Sequence, residues 1–204
     1  MNNNKRVNIA YIGGGSVNFG WKLFSDLANE EICATINLYD IDKQLSLANE
    51  VIGNKFRENS DCRSDIVYLA VDTPDEALYN ADIVILAFNQ GNIEEMVTEL
   101  SLPETYGIYQ STGEHTGPAG VIRALKTLPI YIKYTELIKK HCPNAWVMNI
   151  SNPMAECMQI MYEFFPEIKL FGSTNELFPT LDFLCGIAER EYGIENIRRR
   201  DFKY

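Results

Sequence analysis

A chain of 204 residues with 46% hydrophobic and 23% charged side chains has the make-up of a soluble globular protein, long enough for one sizeable core or for one domain plus the start of a second. Its 18 Lys and Arg against 28 Asp and Glu give a formal charge of −10, and no basic stripe interleaved with aromatics occurs, so nucleic acid is not an expected partner. The apolar run in "MNNNKRVNIAYIGGG" is too short for a signal peptide core or a membrane span, and five scattered cysteines without a C-x-x-C pair argue for reduced thiols, so a cytoplasmic protein that engages no membrane is expected.

Arg6–Ile12 reads as a short buried strand that ends at Gly13, and Phe19, Leu23, Phe24 and Leu27 fall at helical spacing between Val17 and Asn29. Thr35–Asp40 is a second strand ending in an acid, and Lys43–Phe56 a second helix. Ile66–Val71 and Asp82–Phe88 are further strands, joined by the short segment "PDEALYN". A helical stretch then runs from Ile93 to Tyr106 before the turn-rich "YGIYQSTGEHTGPAG" interrupts it. Val121–Lys140 reads as a long helix that Pro129 kinks or divides. Ala145–Ile150 is the next strand, Pro153 occupies the first position of a helix running to Phe165, Ile168–Gly172 is the sixth strand, and "LFPTLDFLCGIAERE" supplies the last helix. Strands alternating with helices imply right-handed crossovers and an α/β fold, a Rossmann-type doubly wound parallel sheet.

Three stretches carry chemistry. In "IAYIGGGSVNF", Gly13 and Gly15 leave room for a phosphate at a helix N-terminus, and the Ser16 hydroxyl can donate to it. The third glycine of G-x-G-x-x-G is missing, since Asn18 stands there. The context of strand, loop, helix, strand and acid supports a dinucleotide site, with Asp40 accepting from the ribose hydroxyls of NAD and repelling the 2′-phosphate of NADP. The other reading is a tight turn with a solvated Asp40. "STGEHTGPAG" sets Glu114 and His115 in a loop at the carboxyl end of the sheet, where such folds bind ligands, or else in a solvated surface turn. In "NISNPMAE", Asn149 and Asn152 can hydrogen-bond sugar or ribose hydroxyls, or Asn152 can cap the helix that follows.

Together, "IAYIGGGSVNF", "LYDID", "YGIYQSTGEHTGPAGVIRALKTLPI", "CPNAWVMNISNPMA" and "KLFG" resemble, in order and spacing, the NAD-dependent family 4 glycoside hydrolases, the α-glucosidase, α-galactosidase and 6-phospho-glycosidase group. The glycine loop alone suits lactate or malate dehydrogenases equally, which share the fold. The resemblance implies hydrolysis of O-glycosidic bonds in carbohydrate metabolism through C3 oxidation by NAD, elimination, water addition and re-reduction, an exception to paired-carboxylate hydrolysis. It places Gly13, Gly15 and Ser16 at the pyrophosphate, Asp40 at the adenosine ribose, Asn89 and Gly91 near the nicotinamide half, and Glu114 and Asn152 at the sugar.

The family also implies a divalent metal such as Mn²⁺, held by a cysteine in Leu-Cys-His after the sixth strand. This chain reads Ser173, Thr174, Asn175, and a threonine hydroxyl is a poor substitute for a thiolate. The second ligand, a histidine in Gly-Leu-Asn-His, lies beyond Tyr204, and members are roughly twice this length, so a truncated catalytic and substrate domain is expected over 191–204 after an NAD-binding domain over 1–190. A complementary C-terminal half or self-association would cover the surface that this leaves. Two other classes stay open: a dehydrogenase of a hydroxy acid or sugar, and a non-catalytic NAD-binding module favoured by the Thr174 departure. His115 and His141 are the only histidines, and neither sits in a dehydrogenase Arg/His constellation.

Overall fold

The computed structural model describes residues 6–111, 113–174, 177–194 and 196–202. Six strands are described, β1 (Val7–Ile12), β2 (Cys33–Tyr39), β3 (Asp65–Ala70), β4 (Ile83–Leu86), β5 (Trp146–Asn149) and β6 (Lys169–Gly172). They form one parallel sheet in the order β3-β2-β1-β4-β5-β6, the doubly wound order in which the chain reverses direction beside β1. The helices between them are α1 (Asn18–Ala28), α2 (Lys43–Phe56), the short α3 (Pro74–Leu78), α4 (Ile93–Ser101), α5 (Gly117–His141) and α6 (Met154–Phe164), with α7 (Leu177–Tyr192) after the sheet.

Two cores lie on the two faces of the sheet, and the period of two along each strand sorts residues between them. Ile9 and Tyr11 of β1 pack with Phe24 of α1 and with Ile36, Leu38 and Tyr68. Ala10 and Ile12 face the other way, onto Tyr131 and Ile138 of α5, Leu78 of α3 and Met161 of α6. Burying residues on both faces is what makes these strands read as continuous apolar runs. The chain divides after Gly172 into two compact units, and α7 belongs to the second.

Some boundaries differ from the sequence expectation for identifiable reasons. The helix expected to Tyr106 is α-helical only to Ser101; Pro103 sits at the start of a 3-10 turn, Leu102–Tyr106, that Gly107 closes with φ +75°. α5 begins at Gly117 rather than at Val121, because Pro118 suits a first helical turn. It also runs through Pro129 unbroken. Pro129 lies on the exposed face, so the N–H it lacks leaves the Leu125 carbonyl to solvent, while Thr127 and Thr135 donate to the carbonyls of Arg123 and Tyr131 at 2.8 and 2.7 Å. Pro153 is not the first residue of α6 but stands just before it, after a cis Asn152–Pro153 peptide.

Among the described residues no helix is long and apolar enough to cross a membrane. The five cysteines are free thiols; Cys142 and Cys157 are buried, and Cys33, Cys62 and Cys185 half-buried.

Candidate functional site: a dinucleotide cleft

β1 delivers its chain end into a turn squeezed between the ends of β2 and β4. Gly13 has φ +93°, and a Cβ there would stand 2.1 Å from the Ala87 carbonyl oxygen. One on Gly14 would stand 2.8 Å from Leu38 Cα, and one on Gly15 2.8 Å from Asp40 Oδ2. Gly13 and Gly14 are therefore demanded by close backbone approach, and Gly15 by the side chains of Asp40 and Leu45, not by one turn type.

Most donors of this turn are satisfied internally. The Gly13 and Gly14 N–H groups both donate to the Tyr39 carbonyl at 2.9 Å, and Ser16 N–H donates to the Gly13 carbonyl at 3.0 Å. Gly15 N–H donates to Asp40 Oδ2 at 2.9 Å, while Asp40 Oδ1 accepts from Asp42 N–H at 3.0 Å. The glycines thus let the turn pack tightly against the ends of β2 and β4, and the donors left for an anion are the first-turn N–H groups of α1. That helix has no side-chain cap and no acid in its first turn, whereas Asp42 caps α2 and Asn92 caps α4.

In front of this turn lies an open cleft of about 690 Å³, within the usual range of ligand sites. Gly13, Gly15, Ser16, Asp40, Asn89, Glu114 and Asn152 all line it, together with the apolar Ile12, Phe19, Ile41, Leu45 and Ile130. Two expected residues do not. Gly91 has φ +86° and packs on the Glu95–Lys126 pair, and a Cβ there would meet Glu95 Oε2 at 2.4 Å. Asn149 is fully buried, accepting from Tyr131 Oη at 2.7 Å and from Ser151 N–H at 3.1 Å, and donating to the Ser151 carbonyl at 3.1 Å. Its amide shapes the turn after β5. The sequence held the signal: Asn149 follows buried Val147 by two residues, and so shares its face. Ser151, between the two asparagines, lines the cleft and accepts from Phe88 N–H at 2.9 Å, tying the β4 and β5 loops together.

Three lining or supporting residues were not foreseen. Lys133 and Tyr134 join Ile130 on one face of α5 at i, i+3 and i+4, and Lys133 is the single Lys, Arg or His lining the cleft among the described residues. Burial, then nearby Tyr39 and Asp40, hold the Tyr134 phenol above its ordinary range. The third is Arg123, buried behind the cleft wall, which donates to Asn89 Oδ1 at 3.0 Å and lies 3.7 Å from Glu114 Oε1 and 3.2 Å from Glu99 Oε2. Lys126 completes the cluster with Glu95 and Glu99, and those two contacts raise its pKa. His115 sits beside Glu114 without lining the cleft, its Nδ1 3.2 Å from Glu156 Oε2.

The residues described do not fit a metal centre: no group of three or more His, Cys, Asp or Glu side chains among them could hold an ion. Thr174, where the resemblance implies a thiolate ligand, lies in the second unit, and Asn175 lies outside the described residues. A dinucleotide fits better, since Gly13 and Gly15 line the cleft, α1 has no side-chain cap on its first-turn N–H groups, and Asp40 stands at the end of β2.

Sheet order, glycine turn and strand-end acid define a doubly wound α/β protein of the class whose crevice takes dinucleotides. The chain belongs to family 4 of the glycosyl hydrolases, whose family model matches residues 8–189. It is 44% identical over 198 residues, 97% of its length, to the alpha-galacturonidase of Thermoanaerobacterium saccharolyticum. It spans only 43% of that relative, and so less than half of it. The crystal structure of the glucosidase lplD from Bacillus subtilis superposes with a TM-score of 0.87 at 40% identity, covering 97% of this chain and 45% of that one. The 6-phospho-beta glucosidase of Thermotoga maritima, solved with manganese, NAD⁺ and glucose-6-phosphate, superposes with a TM-score of 0.74 at 25% identity, covering 96% and 45%. Lactate and malate dehydrogenases share the fold.

Proposed function

We propose that this chain is the NAD-binding half of a glycosidase acting on α-galacturonides. The observation that carries the cofactor reading is the cleft itself, where a turn that tolerates only glycine, an uncapped helix and Asp40 converge. The substrate class rests on similarity to the alpha-galacturonidase relative.

The chemistry NAD supplies when bound is reversible hydride removal from a ring carbon of the sugar, which acidifies the neighbouring proton and opens an elimination route to glycoside cleavage. The chain's own part is binding and orientation. The first turn of α1 and the Ser16 hydroxyl donate to the pyrophosphate, and Asp40, already fixed by two backbone N–H groups, accepts from the adenosine ribose. The same carboxylate repels a 2′-phosphate and favours NAD over NADP. Across the sheet, Asn152 offers its amide to a sugar hydroxyl and Glu114 its carboxylate to the reacting ring.

A second reading, a non-catalytic dinucleotide-binding module, is favoured by Thr174 in the thiolate's place. Titration calorimetry separates these. The chain alone should bind NAD, and bind it more tightly than NADP. Release of p-nitrophenol from the α-galacturonide should appear when the C-terminal part of the Thermoanaerobacterium saccharolyticum relative is added with Mn²⁺. NAD binding without release in that mixture favours the module, and no binding at all overturns both.

A further inference from the structure

Asp40 at the end of β2 fixes the adenosine side of the crevice, so the rest of an extended dinucleotide crosses β4 and β5. There the cleft is lined by Asn89, from the loop after β4, and by Glu114, from the loop before α5. These loops are separate in sequence, and one buried guanidinium touches both. Arg123 has a side chain only 6% exposed and does not line the cleft. Its Nη2 lies 3.2 Å from Oε2 of Glu99, itself 6% exposed, and Lys126 Nζ holds the other oxygen of that acid at 2.7 Å. A planar fork pinned at one end by a buried acid has no freedom at the other. That other end, Nη1, meets Asn89 Oδ1 at 3.0 Å and Glu114 Oε1 at 3.7 Å.

We propose that Arg123 is a positioning residue of the dinucleotide site, holding Asn89 against the nicotinamide half of NAD and Glu114 beside it, toward the sugar; this rests on the cofactor reading above. Arginine carries donors only, so it meets the oxygen of the Asn89 amide and leaves the amide nitrogen as the free group. That fixes Asn89 as a hydrogen-bond donor toward the cofactor's carboxamide oxygen or ribose. The same guanidinium, 3.7 Å from Glu114 Oε1, aims that carboxylate from the same anchor. A lysine cannot replace the fork, because one ammonium cannot span Glu99 and Asn89 in fixed directions.

The test compares NAD with ADP-ribose, which lacks the nicotinamide, by calorimetry on the whole chain. Arg123→Lys should weaken NAD by about tenfold, the scale of one lost charge-assisted hydrogen bond, and leave ADP-ribose within about twofold. Because removing one partner strands a buried charge, Glu99→Gln/Arg123→Met is made alongside, with both buried charges gone, and should show the same split. Equal losses for the two ligands in either variant overturn the proposal, as does unchanged NAD affinity. Failure of both variants to fold, read by circular dichroism, assigns Arg123 to folding and overturns it too. A wild-type chain that binds neither ligand overturns the cofactor reading and this inference with it, whereas a wild type that binds both and variants that lose both equally sink only the role of Arg123.

Discussion

Gly13→Ala tests whether the turn is built by close approach. The added Cβ would sit 2.1 Å from the Ala87 carbonyl oxygen, 2.6 Å from its carbon and 3.1 Å from Phe88 N, all backbone atoms that cannot swing aside. The φ of +93° adds a second cost, since an L-residue there loses about 1–2 kcal/mol. Forcing β4 away from β1 adds roughly 1–3 kcal/mol more, as overpacking generally does. A loss of about 3 kcal/mol lowers the melting temperature of a chain this size by about 6–12 °C. The moved atoms belong to Ala87 and Phe88, which line the cleft beside Asn89, so NAD affinity should fall along with stability. Gly186→Ala is the internal control. It lies within α7 with nothing within 4 Å of an added Cβ, so it should stabilise by about 0.5–1 kcal/mol. Thermal unfolding by circular dichroism and NAD calorimetry measure both. A Gly13→Ala chain that melts with the wild type and binds NAD equally well refutes the reasoning.

Asp40→Asn removes the charge that accepts from Gly15 and Asp42 N–H and turns an amide donor toward one of them; NAD affinity should drop about 10- to 100-fold, with a smaller loss for NADP, and equal losses for both would sink the ribose assignment. Burial pushes the thiols of Cys142 and Cys157 from the ordinary 9.0 up to about 12, and the Tyr11 phenol up to about 12. These groups therefore bind more protons in the folded chain than in the unfolded one between pH 9 and 12, and their contribution to stability, constant below pH 9, should fall as pH rises through that window. Each thiol contributes about 1.4 kcal/mol per pH unit there, read by urea unfolding at a series of pH values; constant stability to pH 10.5 would count against it. In the native state at pH 8 the same two thiols should resist a disulfide reagent that reaches Cys33, Cys62 and Cys185, and a uniform rate for all five would contradict their burial.

What could be read from the chain follows from how each feature is encoded. The glycine turn was legible because three consecutive backbone positions must lack a side chain, and the strand before it and the acid after β2 fix its setting. The central strands β1 and β4 were legible because both faces of the sheet are covered there, so each reads as an apolar run. β4 and β5 are shorter than the runs Asp82–Phe88 and Ala145–Ile150, since the last apolar residues, Ala87, Phe88 and Ile150, belong to loops that line the cleft. The Arg123–Glu99 pair had no such signal: the partners sit on different helices, and nothing in the local pattern distinguishes Arg123 from a solvated helix charge. Asn149 was misread for the opposite reason. Its motif is informative as a unit, but only strand alternation tells which of two amides faces the core.

These two modes of encoding divide the site along the sheet. On the β1–β2 side, the cleft is made by backbone: glycine spacing, the Tyr39 carbonyl and the first turn of α1, with Asp40 bonded to two main-chain N–H groups. A change there disturbs fold and binding together, because the same atoms serve both. On the β4–β5 side the cleft is made by the side chains of Asn89, Glu114 and Asn152, two of them braced by Arg123 and none part of the sheet ladder. Their replacement leaves the strands paired and the cores filled. On the proposed reading the adenosine half of the cleft is therefore constrained by stability, whereas the opposite half can change its side chains at little cost to the fold.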